Sequence, residues 1–386
     1  MKSSSFRAGL SALDPATLPR SMLDLVRQAS SKTVTRAIVL TAVAWVPLAF
    51  LCAIQGMASI KSFLSDFGVQ SRCLVVIPLM ILAEPPLRAR LSFVARHFAE
   101  ERLISEDERA RFDSALGTSE RLRDSKLARV LIAIVAYCLT LGLVVPMLSP
   151  AVSMSWGVGT EGWRSLSVAG TWAVLVTAPV LLYLQLLWIW RQLLWTWFLH
   201  IASKLTLRLV ASHPDHVGGL GFLSNSLRGQ IPFSFAIGVS AAGGVANRVI
   251  HRGQSPLEFK LVLVVVIVTV VIFCVGPLAS FFGVLLRLKR RGLIAYGSLA
   301  TAMGHEFEAK WGQTSEVTQG SLGVQDFSAT TDLYSVVANV HGLRPFPFGV
   351  QDVSSIIVAS LVPGLPIVLS VVPFDVVVKE VLKLAL

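Results

Sequence analysis

Long apolar runs dominate this sequence and restrict the folds open to it. A helix needs about 20 mostly apolar residues to cross a hydrocarbon core of about 30 Å. The four clearest runs of that length are 37–56, 128–148, 166–190 and 261–286. Two weaker runs are 69–84, interrupted by Pro78, and 231–249, whose small residues predict close packing against other helices. We therefore predict six membrane-spanning helices.

A seventh apolar run, 354–374, is broken by Pro363 and Pro366, and either crosses the membrane or re-enters it. Only 15% of the residues are charged and the mean hydropathy is +0.68, whereas soluble domains carry about 25% charged residues. The fold class that follows is all-α: a polytopic transmembrane helix bundle of six to seven spans with cytoplasmic helical extensions.

The distribution of cations predicts the orientation of the bundle. Segment 1–36 carries six Lys or Arg residues against two Asp, and 287–291 carries four cations, whereas loops 57–72 and 149–165 together hold three. Lys and Arg accumulate on the cytoplasmic side of membrane proteins, so the N-terminus is predicted to be cytoplasmic. No cleavable signal is expected before the first span.

The formal charge of +11 is explained by this topology and by contact with a lipid bilayer with anionic headgroups. Nucleic acid is not expected as a partner, because no basic patch is interleaved with aromatic residues. Whether the chain forms a homo-oligomer is left open.

Two cytoplasmic portions are predicted beside the bundle, which extends over 37–286. The first, 88–127, is a helical hairpin, in which "SEDE" from Ser105 to Glu108 forms a capping box and Gly117 ends the second helix. The second, 287–353, contains helices over 293–311 and 325–341 and an extended segment, "LRPFPFG", in which each proline disfavours helix in the residue before it. A C-terminal membrane segment, 354–386, follows.

The stretch from Leu166 to Ser212 would measure about 70 Å as one helix, more than twice the hydrocarbon thickness. Its aromatic residues cluster around Arg191, as rings do at the headgroup level. The cations His200, Lys204 and Arg208 follow at spacings of four, which predicts a basic stripe on a helix that continues beyond the bilayer until Pro214 stops it.

The segment "ASHPDHVGGLGFL", residues 211–223 and part of the predicted loop 211–230, concentrates the polar chemistry of the chain. His213, Asp215 and His216 offer metal-ligating groups, but zinc needs three or four protein ligands. His200 or His305 would have to supply the remainder. "HEFE" at 305–308 lacks the second histidine of a zinc protease, and the four cysteines have no paired spacing. We therefore predict no metal, no cofactor and no assigned catalytic residue.

Two other interpretations of the segment remain. The backbone N–H groups of Gly218, Gly219 and Gly221 could converge on an anion, with charge added by Arg208 or His216. Alternatively the segment is structural: Asp215 caps the chain that follows, and the glycines allow a tight reversal enclosed by protein at the inner face. We favour the structural interpretation and retain the seven residues named here and above as a candidate binding loop, since a cavity at this position would make it a site.

Several short motifs between residues 200 and 386 resemble a family of uncharacterised bacterial polytopic inner-membrane proteins. They are "HPDHVGGLGFL", "KRRGLIAYGSLA", "SLGVQDFSATTDL", "RPFPF" and "LVPGLPIVLSVVPFDVV". The resemblance implies the bacterial inner membrane as the location and implies no activity. In that family arginine often stands at the position of His216.

Three classes of function are consistent with the sequence. A conduit or transporter for a small solute or ion would use the small-residue fifth span, the proline kinks and the glycine loop. A non-catalytic scaffold or sensor would act through the cytoplasmic helices. A membrane-embedded, lipid-acting enzyme would use His213 and Asp215 as acid and base. A cavity open at both faces would favour the first class, and a closed bundle with an exposed apolar patch the second.

Overall fold

The described parts of all seven apolar runs are largely helical in the computed structural model, which describes residues 30–144, 155–159, 162–312 and 325–371. Predictions made for segment 1–29, and those for the region after residue 371, lie outside the described residues. The fold class is all-α, with one short antiparallel hairpin of strands β1 (Val158–Gly159) and β2 (Gly162–Leu166) that the sequence did not predict.

The first half of the chain forms nine helices among the described residues. They are α1 (Ser31–Ile54), α2 (Met57–Leu64), α3 (Phe67–Ser71), α4 (Ile77–Leu82), α5 (Glu84–Glu100), α6 (Arg109–Asp124), α7 (Lys126–Leu139), α8 (Val168–Trp172) and α9 (Ala178–Lys204).

The second half forms six further helices in the part that the structure describes. They are α10 (Asn225–Arg252), α11 (Lys260–Val275), α12 (Phe282–Trp311), α13 (Gln325–His341), α14 (Val350–Leu361) and α15 (Leu365–Val371).

Six continuous helical stretches are long and apolar enough to cross a membrane. They are Ser31–Ile54, Phe67–Glu100, Val168–Lys204, Gly221–Arg252, Lys260–Trp311 and Val350–Leu369. The remaining predicted span, 128–148, corresponds to α7, which meets α6 at a bend of 52° and counts as a seventh span if the pair is taken together. The protein is therefore a multi-pass membrane protein in contact with lipid.

Several spans contain a wide π-helical turn that ends two residues before a proline. Arg72–Val76 precedes Pro78, and Ala173–Thr177 precedes Pro179. A proline cannot donate the backbone hydrogen bond four residues back, and its ring clashes with that carbonyl. The wider turn relieves this conflict and bends the helix.

Helix α10, the fifth span, lies at the centre of the bundle because its glycines admit other backbones. A Cβ atom on Gly238 would lie 2.1 Å from the carbonyl oxygen of Ser360 in α14, and one on Gly243 would lie 2.1 Å from Oγ of Ser71 in α3. Helices therefore approach α10 closely on two sides, and the predicted packing of the small-residue span is confirmed.

Three predicted details are wrong. Gly117 does not end α6, which continues to Asp124, and Ser105 makes no side-chain capping bond. Helix α9 ends at Lys204, ten residues before Pro214, so Arg208 does not continue a helical basic stripe.

Helix α9 ends early because the chain beyond it pairs with the segment that follows α5. The Arg208 N–H donates to the Leu103 carbonyl at 2.8 Å, and Ile104 forms an antiparallel bridge with Leu207. Leu205, buried at the point of departure, fixes this extended path.

The face of the bundle at which α1 begins is called the N-side face below. Arg36 at the start of α1 meets Glu84 at the start of α5, Asp124 at the end of α6 and Arg191 in α9 around one cavity. At the opposite end Asp66, Trp156 and Asn247 meet in one buried cluster. The helices thus alternate in direction, as the apolar runs predict.

Candidate functional site

The turn 211–223 lies between α9 and α10 and is packed into the protein. Val217, Leu220 and Leu223 are completely buried and belong to the largest apolar core cluster, together with Ala211 and Val340. The apolar residues of the motif therefore anchor the turn, and its polar residues are held between these anchors. The predicted enclosure therefore holds for the apolar residues of the segment, whereas Pro214 is exposed and the His213 side chain is 43% exposed.

Asp215 is the acceptor around which the turn is organised. One carboxylate oxygen accepts the N–H of Val217 at 2.9 Å, the other accepts the N–H of Gly221 at 2.9 Å, and Gly219 N–H lies 3.1 Å from both. His213 Nδ1 lies 2.8 Å from Oδ1 of the same carboxylate. The predicted capping role of Asp215 is confirmed.

Burial alone would raise the pKa of Asp215, but the bonds from Val217, Gly221 and Gly219, and that from His213, outweigh it and hold the pKa below its usual value. The anion that the glycine N–H groups bind is therefore the chain's own carboxylate. An external anion would have to displace Asp215 to reach the N–H groups of Gly219 and Gly221.

Three departures into positive φ within four residues reverse the chain. His216 has φ +55°, Gly218 +70° and Gly219 +94°. For His216 this conformation costs about 1 kcal/mol or more, and it is held by neighbours, since the His216 carbonyl accepts the Arg344 N–H at 2.7 Å. The glycines are required here by the backbone, as the tight-reversal interpretation predicts.

The turn is also joined to the end of α13 and to the segment between α13 and α14. The Arg344 guanidinium donates to the Asp215 carbonyl at 3.2 Å and to the Phe348 carbonyl at 3.3 Å, and the Asn339 amide donates to the Ser212 carbonyl at 3.4 Å. Lys289 Nζ in α12 donates to the Leu343 carbonyl at 2.8 Å. The "RPFPF" segment therefore fastens the turn to the helices after α11.

The predicted site residues divide into two groups. The structure brings together His213, Asp215, Gly219 and Gly221 through the bonds above, and places His216 and Gly218 on the reversal. Arg208 is exposed and bonded through its backbone to Leu103, so its charge is not directed at the turn by any described contact. Among the described residues no group of three or more His, Cys, Asp or Glu is placed to hold a metal ion.

Sequence reasoning missed a polar layer inside the bundle. The Gln230 amide in α10 donates to the Gln192 carbonyl oxygen in α9 at 2.5 Å, and the Gln192 amide donates to the Phe273 backbone carbonyl in α11 at 2.7 Å. Phe273 needs that donor because Pro277, four residues on, has no N–H. Oε1 of Gln230 is buried without a hydrogen-bond partner among the described residues.

A stack of aromatic rings fills the bundle beside this layer. Trp188 and Phe233 lie 5.2 Å apart between ring centroids, and Phe233 and Phe273 lie 4.6 Å apart. The rings come from three different spans, so they pack helices α9, α10 and α11 together at this level.

A second cluster that sequence reasoning missed lies at the face opposite the N-side face. Asp66 is 6% exposed and accepts bonds from the Trp156 indole at 3.0 Å, the Asn247 amide at 2.7 Å and the Val69 N–H at 3.1 Å. Asp66 stands just before a span, where an acidic N-cap could have been read from the sequence. Its distant partners, Trp156 and Asn247, could not be predicted from the sequence.

Comparisons with protein-family models, with curated proteins and with solved structures find no match for this chain. The class of protein rests on its own spans and packing: a multi-pass, all-α membrane protein. The family resemblance stays a prediction.

Proposed function

We propose that the protein is a non-catalytic membrane scaffold or sensor, in which the turn 211–223 couples the helix bundle to a helical hairpin formed by α12 and α13. The observation that carries the proposal is the set of bonds from Arg344 and Asn339 to the turn. These bonds link the turn to the end of α13 and to the segment after it, so a displacement of either one is resisted by the other.

The hairpin has a well-packed inner side. Phe327 of α13 contacts Phe307 and Trp311 of α12, at 5.0 Å between ring centroids in both cases. Lys310 and Asp326 form an ion pair at the same end. These contacts give the hairpin a defined shape, as a surface presented to another protein requires.

The hairpin also exposes large apolar side chains. Ile294 is 76% exposed, Leu299 52% and Tyr334 47%. Ile294 and Leu299 lie on α12 and Tyr334 lies on α13, and large apolar side chains left exposed on one structural unit support a contact surface for another protein. The hairpin is therefore the surface on which we expect a partner to bind.

Photo-crosslinking in cells tests the contact surface. A photoreactive residue at Ile294 or Leu299 should give an adduct of one common mass, and the same residue at Asp332, which is exposed and polar on α13, should give little. Equal adducts at all three positions would contradict a specific partner surface.

Hydrogen exchange on the reconstituted full chain tests the coupling. Arg344→Ala should raise exchange in both 211–223 and 339–349, whereas Arg290→Ala, which removes an exposed cation on α12, should change neither. Increased exchange in 339–349 alone would overturn the coupling role of the turn.

A conduit or transporter is the second candidate, and the polar layer favours it. Gln230 is 2% exposed, and its Oε1 atom has no partner among the described residues. Water or a passing polar solute would supply the missing hydrogen bond. Ion and proton flux into liposomes decides between the two candidates. A flux above that of empty liposomes that falls in Gln230→Leu but persists in Gln254→Leu would replace the scaffold proposal.

The lipid-acting enzyme has less support. His213 and Asp215 meet, but the Asp215 carboxylate is engaged by three N–H groups, which suits it to orient the chain more than to exchange protons.

We further infer the bacterial inner membrane, with the N-side face toward the cytoplasm, from the cation distribution and the family resemblance. A membrane-impermeant thiol reagent tests the orientation. It should label a cysteine introduced at Ser298 only after the spheroplasts are lysed.

A further inference from the structure

We propose that a cavity at the N-side face binds the phosphate-bearing headgroup of an anionic lipid. The cavity has a volume of about 250 Å³ and lies between the start of α1, helices α5, α6 and α9, and the start of α7. None of its lining residues belongs to the turn 211–223. The inference is independent of the scaffold proposal.

The cavity carries an excess of positive charge. Five arginines line it against three carboxylates, and the charged lining residues are Arg36, Arg88, Arg123, Arg129, Arg191, Glu84, Glu120 and Asp124. Two cationic charges therefore remain uncompensated. Arginine presents planar pairs of donors that match phosphate oxygens, which makes it the preferred residue for this ligand.

The carboxylates hold the arginines in place. Arg191 is paired with Glu84 at 2.5 Å, and the side chain of Arg191 is only 15% exposed. Asp124 lies 3.0 Å from Arg123 and 3.6 Å from Arg88, and its backbone carbonyl accepts a bond from Arg129 at 2.8 Å. Four of the five guanidinium groups therefore have partners in the protein before a ligand arrives, which reduces the entropy lost on binding.

The depth of the cavity matches the headgroup level of a bilayer. Arg191 lies about 35 Å along the continuous helix that begins at Val168, whereas the hydrocarbon core is about 30 Å thick. A charged group at this depth meets lipid phosphates. The opening of the cavity and the phosphates of the adjacent leaflet are then at the same height.

The rest of the wall is apolar, which suits a ligand with an apolar part. Leucines at 87, 91, 116, 187 and 194 line the cavity together with Trp195 and Phe198. A free inorganic anion would leave these side chains without contact. The volume accommodates a headgroup and its glycerol, and the acyl chains would extend along the lipid-facing helices.

Binding of short-chain phosphatidylglycerol to the detergent-solubilised full chain, followed by native mass spectrometry, tests the proposal. Arg36 is exposed and the Arg88 side chain is 58% exposed, so Arg36→Gln with Arg88→Gln should leave the fold intact. We expect this pair to weaken binding at least tenfold. The matched control is Arg121→Gln with Arg290→Gln, which removes two exposed cations outside the cavity and should change binding less than twofold.

Three results would overturn the proposal. Equal losses of phosphatidylglycerol binding in the two double variants would attribute the effect to general surface charge. Equally tight binding of phosphatidylcholine would show that the ligand need not be an anion. Equally tight binding of inorganic phosphate or glycerol 3-phosphate would assign the cavity to a soluble phosphate. Unfolding temperatures in phosphatidylcholine, expected to agree for the two double variants, control for folding.

Discussion

The turn 211–223 and the arginine cavity are both polar, and they differ in how their charges are satisfied. In the turn, every described bond to the Asp215 carboxylate comes from within nine residues of sequence, 213–221. In the cavity, the charged groups come from five helices, and arginines outnumber carboxylates. The first region satisfies itself, and the second retains capacity for a ligand.

The difference teaches that a dense polar motif need not be an open site. Local bonds form easily between residues close in sequence, so a compact cluster tends to satisfy its own groups. Charges assembled from distant elements are positioned by packing, and packing can leave an excess of one sign. Four predictions test or sharpen this contrast.

Removal of the Asp215 carboxylate should have the largest effect. Asp215→Ala leaves the N–H groups of Val217, Gly219 and Gly221 without their acceptor, which should lower the free energy of unfolding by about 3 kcal/mol. Urea unfolding in detergent measures this. Asp332→Ala, at an exposed position in α13, serves as the control and should cost under about 0.5 kcal/mol. A similar small loss for both would mean that the turn does not depend on its internal anion.

A side chain added at the chain reversal should lower the free energy of unfolding by a moderate amount. Gly218 and Gly253 both have positive φ, but a Cβ on Gly218 would lie 2.6 Å from Cδ2 of Leu288, whereas one on Gly253 meets nothing within 4 Å. Both alanine variants lose about 1 kcal/mol from strain, and Gly218→Ala should lose about 1 kcal/mol more from the clash. Equal unfolding midpoints would show that the turn has room to adjust.

Neutralising one carboxylate of the cavity should change a free energy by less than the substitutions above. The quantity is the lipid-binding free energy, and binding should become stronger. Glu84→Gln removes the charge that offsets Arg191 but keeps an amide oxygen that can accept a bond from its guanidinium, so binding of short-chain phosphatidylglycerol should tighten about threefold, or by about 0.6 kcal/mol. Asp215→Asn, which also removes one negative charge on the N-side face, should leave that affinity unchanged. Identical changes in the two variants would mean that the two regions respond only to net charge.

Acidification should give the smallest difference, which is a difference in stability between the wild type and Asp215→Asn. Because the pKa of Asp215 is lower in the folded protein than in the unfolded chain, its carboxylate contributes stability above the unfolded pKa of about 3.9. That contribution is lost as the pH falls through the folded pKa. Between pH 6 and pH 3 the wild type should therefore lose more stability than Asp215→Asn. Parallel curves from thermal unfolding would contradict this.

Much of the fold could be predicted because the bilayer imposes a length and a composition on each span. The position of α13 was predicted at 325–341, as observed, and the small residues of α10 indicated close packing. The end of α9 was misplaced because the pairing of Arg208 with Leu103 joins two segments about 100 residues apart in the chain. Local helix signals carry no information on such pairing.

The candidate site was predicted only in part, because a local motif specifies its own backbone conformation and not its distant partners. The motif specified which residues reverse the chain, since positive φ favours glycine, and it placed an acceptor beside those glycines. It did not reveal that Arg344 and Asn339 would bond to the turn, or that Gln192 in α9 would reach Phe273 in α11.

The sequence by itself determined a bundle of six to seven spans, the class of fold and the local chemistry of the turn, because hydrophobic length and backbone conformation act over a few residues. Only the tertiary structure decided which anion the glycines hold and where five separated arginines meet. Those outcomes depend on how distant helices pack, and the packing is set by the whole chain at once.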